Sequence, residues 1–302
     1  MSEKGKFLRR INRFVTFVEF KKKKVKAYLA NSGRLKEVLT EGAECLLEKG
    51  KGKIPYKLIA VKKDDVWVSV DSHLPNKFFY ELYKRKEIDF LRKARFLSRE
   101  FKIDGERIDF LFIRGKKRIF LEIKSCTLVE QGIAIFPDAP TIRGKRHLDL
   151  LSKLKENGDD AYIVFIVQRK DAKSFAPNSF THFDFSKSLY RAMEKGVKVY
   201  LIVANFNDKK MKLEKIFIRK LDIFEILVNE YHLWRYPEVF IDYKKLKKNS
   251  FYLDFKGETC FHCSFEENFF DFIYFAKERG INLDPIKIES NIGHLIAKVR
   301  KT

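Results

Sequence analysis

The stretch "RIDFLFIRGKKRIFLEIKS", Arg107 to Ser125, sets Asp109 in one apolar segment and Glu122 and Lys124 in the next. Two carboxylates and an amine are the groups that hold a divalent cation and handle the water or phosphate beside it. Hard ions such as Mg²⁺ take carboxylate oxygens and water in octahedral array. A lysine at their side can orient a metal-bound water or stabilise charge developing on a phosphate.

Whether these residues meet depends on strand register. Asp104-Gly105 in "FKIDGERI" is a two-residue hairpin signal. It predicts Ile103 facing Glu106, Phe101 facing Ile108 and Glu100 facing Asp109. A second hairpin with Arg114 to Lys117 as its loop matches Phe110 with Leu121 and Phe112 with Ile119. It also matches Ile108 with Ile123 and sets Asp109 opposite Glu122. Glu100, Asp109 and Glu122 then form a row of like charges across three strands, about 5 Å apart, which needs a cation among them. Lys124, two residues from Glu122, shares its face. The same charges also suit a solvated stripe of ion pairs, Lys124 with Glu122 and Arg107 with Asp109.

The rest of the chain supplies the frame. Five alternating segments, Phe14 to Phe20, Val25 to Ala30, Ala43 to Glu48, Tyr56 to Lys62 and Val66 to Asp71, predict a small OB-like β-barrel over residues 1–75. Phe17 and Tyr28 are candidates for stacking on bases, although such aromatics more often sit in the core, and Lys21 to Lys24 fall in a hairpin loop as phosphate contacts or a solvated turn. Residues 76–223 alternate helix and strand. A helix capped by Asn76 and running to about Lys86 is followed by three strands and a helix from Arg143 to about Asn157. Then come the apolar strand Ala161 to Val167, a helix from Ser186 to Lys195 and a strand from Val197 to Ala204. This order predicts a mixed sheet flanked by helices, an α+β/α/β multidomain chain. Residues 224–302 form a further extension, rich in aromatics, with a helix ending at Gly280.

Charge divides the chain in the same way. Residues 1–63 hold 18 Lys and Arg against 6 Asp and Glu, residues 64–223 hold 33 against 23, and the remainder holds 12 against 12. Polyanion binding is expected of the first two parts only. Arg13, Lys22, Lys23 and Arg34 in the barrel, with Arg143, Lys145 and His147 at a helix start, are the candidate phosphate contacts, because basic groups at a helix N-terminus oppose its dipole unless they face an anion. The neutral extension suits packing, a protein partner or self-association. The longest apolar run is too short to span a bilayer and the N-terminus lacks the apolar core of a secretion signal, so a cytoplasmic location is expected. Cys260, His262 and Cys263 have the residue types of half a zinc site, but no second CxxC pair accompanies them, so ordinary thiols are the expectation.

An Asp followed in the next strand by Glu-x-Lys resembles the PD-(D/E)XK motif of restriction-endonuclease-like nucleases. The words around it, "ANSGRLKEVLTEG", "LPN", "RIDFLF", "LEIKSCTL", "FPDAPTIRGKRHLDLL" and "FIVQR", resemble the sugar fermentation stimulation protein A family over roughly residues 5–223. The resemblance implies an OB-like domain, a nuclease-like domain and DNA binding, read as a regulatory role in sugar metabolism. It places the site on Asp109, Glu122 and Lys124, the residues for which the strand register already calls for an ion such as Mg²⁺ or Mn²⁺; secondary candidates are Glu100, from the register, Glu81, which can enter from the first helix, and Gln168, where such nucleases often place a polar site residue. Here Asn31-Ser32-Gly33 stands where the family usually has Asn-Thr-Gly, and Glu106 where it usually has Ser. The expectation is a DNA-binding protein with a metal-dependent phosphodiesterase site. A binding module without turnover and an RNA-directed protein are the alternatives.

Overall fold

The computed structural model describes residues 3–208, 210–246, 249–257, 265–291 and 294–302. The N-terminal strands are β1 (Glu3–Asn12), β2 (Val15–Phe20), β3 (Lys23–Leu29), β4 (Glu44–Lys49), β5 (Tyr56–Lys63) and β6 (Val66–Ser69). They lie in the order β3-β2-β1-β4-β5-β6, and a parallel pairing of β3 with β5 closes the first five into a barrel. Its interior is filled by Phe7, Val18, Leu29, Leu47 and Leu58. The closed barrel therefore includes β1, which the sequence did not signal, and leaves β6 outside the ring. Only Phe7 of β1 is buried, and Lys4, Lys6, Arg9 and Arg10 surround it, so the alternation that marks a strand is faint.

Helix α1 (Leu74–Lys84) follows, then β7 (Arg95–Ile103), β8 (Glu106–Arg114), β9 (Lys117–Cys126), and the short β10 (Val129–Glu130) and β11 (Ile133–Phe136). Helix α2 (Ile142–Glu156), β12 (Asp160–Val167), β13 (Ser174–Pro177), α3 (Ser179–Glu194), β14 (Lys198–Asn207) and β15 (Lys212–Lys220) complete this region. The main sheet runs β15-β14-β12-β9-β8-β7, with β9, β12 and β14 parallel and the others antiparallel. Every residue of β12 is buried, as expected of a central strand covered on both faces. The expected mixed sheet is thus present, with β10, β11, β13 and β15 added to the elements read from the sequence.

One face of this sheet meets α1 and the barrel. Phe78, Phe79, Phe110, Phe112 and Ile119 pack with Leu46 and Ile59, so barrel and sheet share a core. The other face meets α2 and α3 through Leu148, Leu151, Phe165, Phe185 and Leu189. Each such side chain contributes roughly 1.5–3 kcal/mol by leaving water.

The extension folds as α4 (Ile223–Arg235), β16 (Phe240–Lys245), β17 (Ser250–Lys256), α5 (Phe265–Glu278), β18 (Leu283–Asn291) and β19 (His294–Lys301). Its antiparallel sheet has the order β16-β17-β19-β18. Inward residues Phe251, Leu253 and Phe255 meet Phe224 and Phe272 of the helices, and this core is continuous with that under α3. The predicted helix end is present, with Gly280 at φ 83°. Cys260, His262 and Cys263 lie outside the described residues. Among the described residues no helix is long and apolar enough to cross a membrane.

Candidate active site

The hairpin registers decide the geometry. Asp104-Gly105 turns with φ of 49° and 78°, and Phe101 faces Ile108. The next hairpin pairs Phe110 with Leu121, Phe112 with Ile119 and Ile113 with Arg118, and continues to Arg114 opposite Lys117, so the loop is two residues rather than four. Beyond Phe110 and Leu121 the β8–β9 pairing stops, and side chains take over from backbone. Asp109 Oδ2 accepts from Ile123 N at 2.7 Å, and Glu122 Oε2 accepts from Asp109 N at 3.3 Å. The two carboxylates are thereby drawn together where the strands part.

Each carboxylate has its own positioning partner from a helix. Asn76 Nδ2 donates to Asp109 Oδ1 at 2.8 Å. The expected capping role of Asn76 is not what the fold uses: α1 begins at Leu74 after His73, and Asn76 lies inside it. Glu122 Oε1 accepts from Lys124 Nζ at 2.7 Å and from His147 Nδ1 at 2.5 Å. Arg143 Nε lies 3.2 Å from His147 Nε2, which Glu106 Oε2 also approaches at 3.5 Å, and the contact to Glu122 assigns a proton to Nδ1.

Burial and the nearby Glu122 charge push the Asp109 carboxyl up to about 7, against the pull of Lys124, Ile123 N and Asn76. Burial also acts against the charge on Glu122, but Lys124 and His147 outweigh it and hold that carboxyl down to about 2. The pair therefore divides into a fixed anion, Glu122, and a carboxyl near its titration point, Asp109.

The other expected residues are distributed differently. The β7–β8 register runs unbroken from Arg99 with Phe110 to Phe101 with Ile108, so Glu100 stands opposite Asp109 as expected, but its φ is 50°. Left-handed backbone swings its side chain out of the pleat, where it is exposed and 4.0 Å from Arg107. Five positions beyond Asn76, Glu81 points about 140° around the helix from it. Gln168 is fully buried and donates to Ser125 Oγ at 2.8 Å, on the residue after Lys124 and hence toward the opposite face of β9. His147, expected as a phosphate contact, is 1% exposed and braces Glu122 instead. Arg143 is exposed, Lys145 pairs with Asp149 at 2.8 Å, and Arg146 pairs with Glu106 at 2.5 Å.

In the barrel, Lys22 and Lys23 sit at the β2–β3 turn, and Arg13 at the opposite end of β2. Arg34 is near Arg13 because Arg10 donates to the carbonyls of both, at 2.9 and 2.6 Å. The same loop reaches the nuclease-like part, where Leu35 N donates to Asp138 Oδ2 at 3.1 Å. Arg10 carried no sequence signal beyond its charge.

Two family models match the chain, the SfsA N-terminal OB domain over residues 8–70 and the sugar fermentation stimulation protein RE domain over residues 73–210. A sugar fermentation stimulation protein homolog of Caldanaerobacter subterraneus subsp. tengcongensis is 39% identical over 215 residues, covering 70% of this chain and 93% of that protein. The chain belongs to the sugar fermentation stimulation protein family. A homolog from Natranaerobius thermophilus is 43% identical over 202 residues, 65% of this chain and 84% of its own length. The solved structure of Pyrococcus furiosus SfsA in complex with Ca²⁺ is similar with a TM-score of 0.66 and 30% identity, covering 73% of this chain and 95% of that one. The OB-type barrel and the restriction-endonuclease-like sheet read from the sequence are thus the family's two domains. The RE-domain match ends at residue 210, before β15 and the extension.

The donor set fits a small hard cation. Asp109 and Glu122 supply carboxylate oxygens that retain free lone pairs after their hydrogen bonds are counted. Among the described residues no group of three or more His, Cys, Asp or Glu side chains is arranged as a metal cage. An ion held here by two carboxylates would complete its shell with water and substrate oxygens, the usual arrangement for Mg²⁺ at phosphate-handling sites.

Proposed function

We propose that this member of the sugar fermentation stimulation protein family is a divalent-metal-dependent phosphodiesterase acting on nucleic acid, DNA in preference to RNA. The observation that carries this reading is the pairing of half-buried Asp109 with buried Glu122, Lys124 on the same side, in which burial and the neighbouring Glu122 charge raise Asp109 to about 7. A perturbed carboxyl beside a second carboxylate marks a functional site, and a divalent cation would offset the charge of the two. Pyrococcus furiosus SfsA was solved in complex with Ca²⁺, which supports a divalent ion in a protein of this family.

Asp109 and Glu122 hold the ion in this reading, which is Mg²⁺ or Mn²⁺. When bound, it polarises a phosphodiester oxygen and lowers the pKa of a coordinated water. Lys124 orients the attacking water and offers positive charge where the phosphate gains negative charge. His147 and Asn76 fix the carboxylates so that neither reorients during the reaction. Arg143, Lys145, Arg13 and Arg34 hold the backbone of the substrate, which makes binding steeply salt-dependent.

A second reading, a DNA-binding regulator without turnover, is favoured by one observation: the Lys124 ammonium already donates to Glu122 and sits 3.3 Å from His147 Nδ1. Incubation of plasmid and single-stranded substrates with Mg²⁺ or Mn²⁺ separates the two. Cleavage that disappears in Asp109→Ala and Lys124→Ala supports the enzyme, and cleavage unchanged in both sinks it. Salt-sensitive binding with no cleavage leaves the regulator. Competition between matched DNA and RNA strands tests the polymer preference.

A further inference from the structure

A cavity of about 590 Å³ opens between the barrel and the start of α1, and of the residues assigned above only Tyr28 lines it. Its wall carries Lys49, Lys51, Lys53, Lys57, Tyr28 and His73, with Glu48 beside them. The sequence there is "KGKGK", a run whose glycines let lysines alternate along a tight loop. The loop is held in shape: Gly50 N donates to Pro55 O at 2.7 Å, and a Cβ at Gly50 would lie 2.1 Å from the Ile54 carbonyl oxygen. Among the described residues Lys49, Lys51 and Lys53 have no carboxylate within ion-pair reach, whereas Lys57 is held by Asp71 at 2.5 Å. Asp71 also accepts from His73 N at 3.1 Å, and so ties the barrel wall to the helix wall.

Position gives the cavity its meaning. His73 on its wall precedes Asn76 by three residues, about 4.5 Å along the helix, and Asn76 holds Asp109. At the other side Tyr28 is 38% exposed, with its ring centroid 6.5 Å from that of Phe14, over which Arg13 lies at 5.8 Å. The volume suits one small organic group rather than a duplex. A ring such as Tyr28 can stack only on a base whose face is free, and paired bases offer a protein their edges instead.

We propose that this cavity seats an unpaired nucleotide next to the scissile position, with Tyr28 against the base and Lys49, Lys51 and Lys53 on the flanking phosphates, so that single-stranded nucleic acid is the preferred substrate. The proposal rests on the nucleic-acid reading above and names the strand state that the site accepts.

The test is fluorescence anisotropy with labelled dT12 and with a 12-base-pair duplex, in EDTA, so that binding is read without cleavage. Replacing Lys49, Lys51 and Lys53 together by Ala lowers dT12 affinity at least about 10-fold near 0.1 M salt and reduces the salt slope by about 2, while duplex affinity changes little. Tyr28→Ala weakens dT12 binding by about 5- to 100-fold, and Tyr28→Phe, which keeps the ring, restores it. A triple variant that binds dT12 within twofold of the parent, or that loses dT12 and duplex equally, overturns the proposal. Strand-selective losses in a protein that never cuts with Mg²⁺ would leave the subsite standing and remove only the phosphodiesterase reading.

Discussion

His147 Nδ1 lies 2.5 Å from Glu122 Oε1, although the two residues belong to α2 and β9 and are 25 positions apart. The contact holds Glu122 as a fixed anion beside Lys124, and Arg143 holds His147 from behind. Partners that orient a metal ligand typically carry 10- to 100-fold of metal affinity or activity. His147→Ala is expected to weaken Mg²⁺ binding and metal-dependent cleavage by about that factor. Calorimetric titration of the ion, with circular dichroism to verify the fold, checks it.

The raised Asp109 carboxyl makes ion binding pH-dependent. The metal-free folded protein keeps the Asp109 proton up to about 7, whereas an unfolded chain gives it up near 3.8. Asp109 therefore contributes stability that is full below about 3.8 and is lost as pH rises through about 7. Binding a cation expels that proton, so the ion gains affinity over the same window. The melting-temperature increase produced by 10 mM Mg²⁺, a concentration on the order of those that populate weak sites, should be larger at pH 8 than at pH 6. In Asp109→Ala this difference should vanish.

Glu106 occupies a position that is usually Ser in the family, and it neutralises Arg146 at 2.5 Å. Arg146 holds Glu106 below the usual carboxylate range. Glu106→Ser frees one exposed guanidinium on the α2 face that carries Arg143. DNA affinity is expected to rise a few-fold at low salt, with a steeper salt slope by about one phosphate contact, and the gain should fade at high salt. Filter binding across a salt series reads this directly, and unchanged affinity would mean that the α2 face does not touch the backbone.

A buried charge pair within the extension is tied to α3 by Ser179 and Tyr190. Arg279 donates to Glu230 Oε1 at 3.0 Å and to Ser179 Oγ at 3.0 Å, and Tyr190 donates to Glu230 Oε2 at 2.6 Å. Both charged side chains are under 5% exposed. Removing one partner strands the other in a low-dielectric interior, so Arg279→Ala is expected to cost about 3–5 kcal/mol in urea unfolding. The double change Glu230→Leu with Arg279→Met should cost clearly less, because no unpaired charge remains.

Local chemistry in the sequence determined much of this protein. The Asp104-Gly105 turn and the alternating apolar residues of β8 and β9 set a register in which Asp109, Glu122 and Lys124 share a side. Family words set the two domains, and Gly280 marked the end of α5. Those features depend on residues near one another in the chain, where turn type and pleat leave few choices. Tertiary structure alone decided the rest. Asn76 read as a cap and His147 as a phosphate ligand because only helix packing on the sheet brings them to Asp109 and Glu122. Glu100 keeps its place opposite Asp109, but a left-handed backbone angle that no pattern announces leaves its side chain exposed, and β1 entered the barrel with a single buried aromatic. The physical reason is common to these cases: side-chain direction over long separations is fixed by which faces pack, and packing is a property of the whole core rather than of any local stretch.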